Sequence, residues 1–159
     1  MRRYFVSFLF SLIIFTFCAC SSYFSSGANR KNVSVSQLSV AVPYRVANHY
    51  FVKNNIKNKI PSRISNANEF YFYFGEATTM GNTGKPSNID FNEEEVVIYD
   101  AGKVQQFLQI KPLDLRQSGR ELHLIIHIQS GALTGYYTHP FLMLIIQKNL
   151  ADKLMVHVQ

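Results

Sequence analysis

The second half of the chain alternates between short runs rich in β-branched and aromatic residues and segments that favour turns. The runs cover residues 95–99, 104–110, 121–129, 141–148 and 154–158. Gly102, Ser118-Gly119 and residues 131–135 provide turns between them at roughly regular spacing. Leucine and isoleucine occupy every second position from Leu122 to Ile128, as in a strand with one buried face. The pattern predicts a mainly-β fold, an antiparallel sandwich or a small barrel, with at most one or two short helices.

The pattern of the first half is less regular. Tyr44, Val46 and residues 50–52 suggest one or two short strands. Two interpretations compete for residues 66–74. Asn66 and Glu69 have the spacing of a helical capping box, whereas the alternation of Phe with Tyr is typical of a strand. We favour a short helix because Phe70 and Phe74 then share one face.

The first residues of the chain have the pattern of an export signal. Arg2 and Arg3 precede an apolar run from Tyr4 to Phe17, which corresponds to the charged and apolar regions of a signal peptide. The run is shorter than the roughly 20 residues that a membrane-spanning helix requires. We therefore predict that residues 1–19 are a signal peptide.

The signal ends in the sequence Phe17-Cys18-Ala19-Cys20, which resembles the lipobox of bacterial lipoproteins. The resemblance implies cleavage after Ala19, acylation of Cys20 and anchoring of the mature chain in a lipid bilayer. Because Ser21 rather than Asp follows Cys20, the resemblance also implies the outer membrane of the cell envelope. Cys18 is the rival acceptor, and a plain secretory signal is the second alternative. If Cys20 is acylated, the mature chain has no thiol left for catalysis or metal binding.

Serine and asparagine are abundant from residue 20 to residue 37, which predicts a flexible tether before a single domain at residues 38–159. The 16 basic and 10 acidic residues of the chain give a net charge of +6, which becomes +4 without Arg2 and Arg3. The segment between Cys20 and Ile64 contains several lysines and arginines but no aspartate or glutamate. We expect this segment to pair with the acidic remainder or to contact lipid headgroups. We do not expect nucleic acid as a partner of an exported, lipid-anchored protein.

The histidines do not form a recognisable metal motif. His123 and His127 have the outer spacing of the zinc-protease motif H-E-x-x-H, but Leu124 replaces the catalytic Glu. In a strand the two side chains lie about 13 Å apart, too far to bind one ion. Gly84-Lys85 also lacks the other residues of a phosphate-binding loop. We therefore predict no metal site and no cofactor.

Two groups of residues remain as candidate sites. Glu93-Glu94-Glu95, with Glu69 and Asp90, could supply the paired carboxylates of a small hydrolase, although adjacent glutamates are usually a solvated rim. Tyr136 and Tyr137 lie in a predicted loop, residues 131–140, with two glycines. Tyrosines exposed on a loop are a common binding device for proteins and carbohydrates, and the alternative is that both pack over the end of the sandwich.

Residues 89–97, Gly102 and the run Pro140 to Ile146 together are similar to the PrcB-like carboxy-terminal domain, over about residues 88–149. That family consists of small β domains of bacterial secreted proteins and lipoproteins associated with protease complexes. The family's Thr-Gly-Gly-Tyr signature is replaced by residues 103–107, so the resemblance implies the fold more than the partner. We therefore predict a non-catalytic envelope lipoprotein that binds a protein partner. Carbohydrate binding and a carboxylate-dependent hydrolase are the alternatives.

Overall fold

The computed structural model describes residues 39–77 and 84–159 of the chain. The predicted signal peptide, Cys20 and the predicted tether lie outside these residues. The described elements are the strands β1 (Val40–Ala41), β2 (Arg45–Val46), β3 (Tyr50–Val52), β4 (Arg63–Ile64), β5 (Phe74–Glu76), β6 (Glu94–Asp100), β7 (Val104–Ser118), β8 (Glu121–Thr138), β9 (Phe141–Gln147) and β10 (Lys153–Val158), and the helix α1 (Ala67–Tyr73). In the described ranges, no helix has the length and apolar character needed to cross a membrane.

One long β-hairpin, bent back on itself, organises the fold. β7 and β8 pair in antiparallel fashion from the turn at Gly119 outwards to Val104 and Thr138. The pairing then resumes between β6 and β9, beginning with Asp100 opposite Phe141. The connections at residues 101–103 and 139–140 face each other, so both arms of the hairpin bend at the same level. Gly102 has a φ of 72°, a conformation that favours glycine.

The bend places the two halves of the hairpin in different sheets. The first sheet has the strand order β1-β7-β8-β10, and the second has the order β2-β9-β6-β4. These sheets pack face to face as a sandwich rather than a closed barrel, which confirms the predicted mainly-β class. The expected antiparallel arrangement is wrong in one respect, because β10 pairs with β8 in parallel and is not a neighbour of β9.

The first core lies between the two sheets. Leu122, Leu124 and Ile126 of β8 are completely buried there, which confirms the apolar face predicted for this strand. Val97 of β6 and Leu144 of β9 meet them from the second sheet. Removing such side chains from water is the main stabilising contribution to a sandwich of this kind.

The second core lies on the opposite face of the same second sheet. Val96, Ile98, Met143 and Ile145 pack there against Phe70 of α1 and other apolar residues of the first half of the chain. β6 and β9 are therefore covered on both faces. That position explains why their sequences are continuous apolar runs instead of alternating ones.

Helix α1 confirms the capping-box interpretation. The Asn66 side-chain oxygen accepts a hydrogen bond from the Glu69 backbone N–H at 2.8 Å, and the Asn66 amide donates to Glu69 at 3.1 Å. Phe74 ends the helix in an extended conformation and begins β5, which pairs with β3 in a third, two-stranded sheet. The favoured helix is thus confirmed, and the strand interpretation is wrong for residues 67–73, because only Phe74 at the end of the segment belongs to a strand.

Candidate functional site

The carboxylates that suggested a hydrolase serve mainly in structural contacts. The Glu69 carboxylate accepts a hydrogen bond from the side-chain amide of Asn66, the N-cap of α1, at 3.1 Å, and Asp90 Oδ1 accepts hydrogen bonds from the backbone and side chain of Asn92, both at 3.0 Å. Glu94 accepts two hydrogen bonds from Arg45, at 2.7 and 2.9 Å. Glu95 is buried and pairs with Arg63 at 2.6 Å. The description of the three glutamates as a solvated rim is therefore wrong for Glu94 and Glu95, which belong to β6.

The two arginine contacts join the basic segment to the acidic remainder of the chain. Burial raises the pKa of Glu94, but the hydrogen bond from the Arg45 guanidinium, the Asp90 backbone N–H and the positive charge of Arg45 outweigh that effect. The pKa of Glu94 is therefore lowered. These contacts agree with the expectation that the basic segment pairs with acidic residues.

Two of the five histidines meet on the outer face of the first sheet, although sequence spacing did not bring them together. His123 Nδ1 of β8 lies 3.0 Å from His157 Nε2 of β10. The ring centroids are 5.3 Å apart and the planes differ by 14°, so the rings lie edge to edge in a hydrogen bond. His127 bonds instead to the Gln159 carbonyl. Across residues 39–77 and 84–159, no three His, Cys, Asp or Glu side chains group closely enough to hold a metal ion.

The most unusual surface is a two-stranded segment that we name the uncharged ribbon. It comprises residues 104–110 of β7 and 128–138 of β8, and neither stretch contains a charged residue. Four of its large side chains are mostly exposed: Phe107 at 57%, Leu133 at 82%, Tyr136 at 65% and Tyr137 at 68%. Large apolar side chains exposed along one uncharged segment favour an interaction surface.

The structure corrects the loop predicted for residues 131–140. β8 continues to Thr138, and two register shifts in the pairing with β7 place extra residues in β8. Gly135, with a φ of 70°, provides the backbone conformation that one shift requires. Phe107 lies across Gly131, where an added Cβ would be 3.0 Å from the Phe107 ring. Tyr136 and Tyr137 therefore lie on an irregular strand and not in a flexible loop.

The outer edge of β7 is largely unpaired. β1 covers only Arg116 and Gln117, and Val42 adds one hydrogen bond to the Leu115 carbonyl. In the part of the chain that the structure describes, no strand pairs with this edge at residues 104–110. Natural proteins usually protect such edges with lysine, proline or bulges. Here Lys103, Lys111 and Pro112 flank the edge and leave seven residues between them unprotected.

A cleft lies beside the start of the ribbon. It has a volume of about 530 Å³. Its lining residues are Tyr50 to Asn54, Lys103, Tyr137 to His139, and Phe141. Tyr137 belongs to this lining but Tyr136 does not, so the two candidate tyrosines do not form one shared platform.

The polar groups of the cleft are held by neighbouring residues. His139 Nε2 lies 2.6 Å from Asp100 Oδ1, which also accepts the Gly102 N–H at 2.8 Å. The Tyr50 hydroxyl donates to the Ser87 carbonyl at 2.6 Å. Burial, with smaller contributions from the charges of Tyr71 and Glu76, raises the pKa of Tyr50 to about 12. This hydroxyl is therefore a neutral hydrogen-bond donor at physiological pH.

Sequence analysis did not identify Phe51, Lys53 or Lys103 as site residues. About fifty positions separate the first two from Lys103, and no local motif connects them. Only the bend at residues 101–103 brings Lys103 to the cleft. The one signal in the sequence was an aromatic residue, Phe51, in a predicted short strand.

The chain matches no family model, no curated protein and no solved structure at a significant level. The resemblances to the lipobox and to the PrcB-like carboxy-terminal domain therefore stay predictions.

Proposed function

We propose that this protein is a lipid-anchored component of the bacterial cell envelope that binds an extended segment of another protein along the free edge of β7. The observation that carries the proposal is the uncharged ribbon, which combines an unpaired strand edge with exposed apolar side chains. Each feature alone is common on protein surfaces, but their coincidence in one ribbon, with Phe107 on the unpaired strand itself, favours a docking surface.

Strand addition suits the β7 edge better than the β8 edge of the ribbon. The extra residues of both shifts between Val104 and Leu108 lie in β8, so β7 is the more regular strand there. Seven residues span about 23 Å, enough for a partner strand to form several main-chain hydrogen bonds. Exposed Phe107 adds apolar contact area, and flanking Lys103 and Lys111 favour acidic residues at the ends of the partner segment.

The proposed anchor rests on the sequence around Cys20. Arg2 and Arg3, the apolar run that follows and Ala19 before Cys20 support export and acylation. Several acyl chains on one residue give stable anchoring, since each buried methylene contributes about 0.8 kcal/mol. A Ser-rich tether would then place the ribbon at a distance from the bilayer surface.

Cys20→Ala is expected to move the protein from the membrane fraction to the soluble fraction, because the acyl acceptor is lost. Cys18→Ala is the matched control and should leave the distribution unchanged. Fractionation combined with metabolic labelling by a fatty acid measures both effects. Undiminished labelling of the Cys20 variant would exclude Cys20 as the acceptor.

The β7 edge is tested by photo-crosslinking in intact cells. A p-benzoylphenylalanine residue placed at Gln105 or Gln109, both exposed on β7, is expected to crosslink the same envelope protein from either position. Phe107→Lys should reduce both crosslinks at least tenfold, because a lysine on a strand edge opposes pairing with a further strand. Crosslinked products are identified by mass spectrometry.

Val158 provides the matched control, since its exposure of 57% equals that of Phe107 but it lies on β10. The Val158→Lys variant should leave the crosslinks from positions 105 and 109 unchanged. A photoreactive residue at position 158 should not produce those crosslinks. Equal crosslinking from Val158 would show that the surface is not selective. Crosslinks only between two copies of this chain would overturn the proposal of a different partner protein.

A further inference from the structure

We propose that the cleft beside the ribbon is a binding site for an aromatic organic anion. This inference concerns the cleft itself and does not depend on strand addition at β7. It rests on the cavity's size, on its aromatic walls and on the charge of its lining.

The size and walls of the cleft suit a small planar group. A volume of about 530 Å³ lies within the usual range for small-molecule sites, about 300–1,000 Å³. Phe51, Tyr137 and Phe141 present aromatic rings to the cavity, and the first two are exposed. Such rings offer flat apolar surface at a low cost in side-chain entropy.

The Phe51 wall is fixed by the backbone beneath it. Phe51 of β3 pairs directly with Gly75 of β5, and its ring lies flat across that glycine. A Cβ added at Gly75 would be 2.5 Å from Phe51 Cζ, so any larger residue would displace the ring. The absence of a side chain at position 75 therefore sets the position of this wall.

The charge of the lining favours an anion. Lys53 and Lys103 both line the cavity, and no aspartate or glutamate does. The Lys53 ammonium donates one hydrogen bond to the Tyr71 carbonyl and keeps further N–H donors for a ligand. Among the described residues, Lys103 makes no ion pair. Asp100 contacts the lining residue His139, and the same oxygen, Oδ1, already accepts a hydrogen bond from the Gly102 N–H.

These features define a ligand with an aromatic ring system and a carboxylate or phosphate group. The rings of the ligand would lie between Phe51 and Tyr137, and its acidic group would contact the two ammonium groups. Lysine binds either anion as a point charge, so the lining does not distinguish between them.

Calorimetric titration of the purified full-length protein tests the site with three probes of similar size. The probes are 2-naphthoate, 2-naphthyl phosphate and the uncharged 2-naphthylmethanol. At least one anion is expected to bind about tenfold or more tightly than the alcohol, and its affinity should fall with added salt. Tighter binding of 2-naphthyl phosphate would identify the ligand as a phosphorylated compound. Tighter binding of 2-naphthoate would identify it as a carboxylic acid.

Lys103→Gln should weaken the preferred anion about tenfold and leave the affinity of the alcohol unchanged. Lys111→Gln removes a lysine of β7 that does not line the cleft and should have no effect on either probe. Phe51→Ser changes a half-exposed side chain and should weaken all three probes. Equal affinities for the anions and the alcohol, or equal losses in the two lysine variants, would overturn the proposal.

Discussion

Replacing Arg63 by methionine is expected to destabilise the domain by about 3–5 kcal/mol, the usual cost of leaving a buried charge without its partner. Arg63 donates to Glu95 at 2.6 Å and also to the Ala151 carbonyl. The Glu95 side chain is only 4% exposed, and Arg63 is its one ion-pair partner in the described part of the chain. Urea unfolding of the wild type and the variant measures the difference.

A second substitution separates the cost of the unpaired charge from the loss of packing. Adding Glu95→Leu to Arg63→Met removes both charges, and most of the lost stability should return. Arg116→Met is the matched control, because Arg116 pairs with Asp114 at 2.5 Å on the partly exposed outer face of the first sheet. That variant should lose less than about 1 kcal/mol. An equally small loss for Arg63→Met would mean that water reaches Glu95.

Phe70→Ala is expected to cost about 3–5 kcal/mol, since it leaves a large cavity in the second core. The Phe70 ring is completely buried, and its centroid lies 5.1 Å from that of Tyr50, 5.2 Å from Phe74 and 5.3 Å from Phe91. Thermal and urea unfolding measure the effect. Phe72→Ala changes an exposed neighbour in the same helix and should alter stability by about 0.5 kcal/mol or less.

The Phe70 variant also separates the layers of the fold. Phe70 supports Tyr50 and with it β3, whereas the first core is built from other side chains. Hydrogen exchange should therefore increase more in β3, β5 and α1 than in β8. A uniform increase would show that the two cores unfold as one unit, and it would leave the predicted loss of stability in place.

The parts of the fold that depend on local patterns could be predicted from the sequence. Asn66 and Glu69 specified the start of α1 through a contact over three positions, and alternation from Leu122 onwards specified the buried face of β8. Tyr136 and Tyr137 are mostly exposed, so the alternative that both pack over the end of the sandwich is wrong. Each of these signals lies within a few residues along the chain.

The extent of the long strands could not be predicted in the same way. Pro112 and the glycines 131 and 135 are normally signs that a strand ends, which is why β7 and β8 were each predicted too short. Pro112 is tolerated because it lies at a register shift on a strand with a free outer edge, and the glycines of β8 lie at further shifts. Whether an edge is free depends on the whole sheet and not on the local sequence.

The candidate site depends on contacts between distant residues, so its prediction was incomplete. Tyr137 was identified, but its neighbours Phe51 and Lys103 were not, because the bent hairpin and the third sheet bring them together. The contact between His123 and His157 likewise depends on the parallel pairing of β10 with β8, which the predicted antiparallel sandwich does not contain. Sequence spacing indicated only that His123 could not share a metal ion with His127.

The bent hairpin has a consequence for the order in which the chain folds. Ser118 and Glu121 are three positions apart, whereas Glu94 and Gln147, at the other end of the same hairpin, are 53 positions apart. If pairing begins at the Gly119 turn, each new residue pair closes only a small additional loop. The entropic cost of bringing Glu94 and Gln147 together is then divided over many small steps. Both sheets would then form by one zipping process, despite the many long-range contacts of a sandwich. A slip of one residue near the turn would also be transmitted past the bend and would exchange the two faces of β6 and β9. Between Val104 and Leu108 the pairing with β8 is already irregular. A change in the number of extra residues there would correct the slipped register before the second sheet forms.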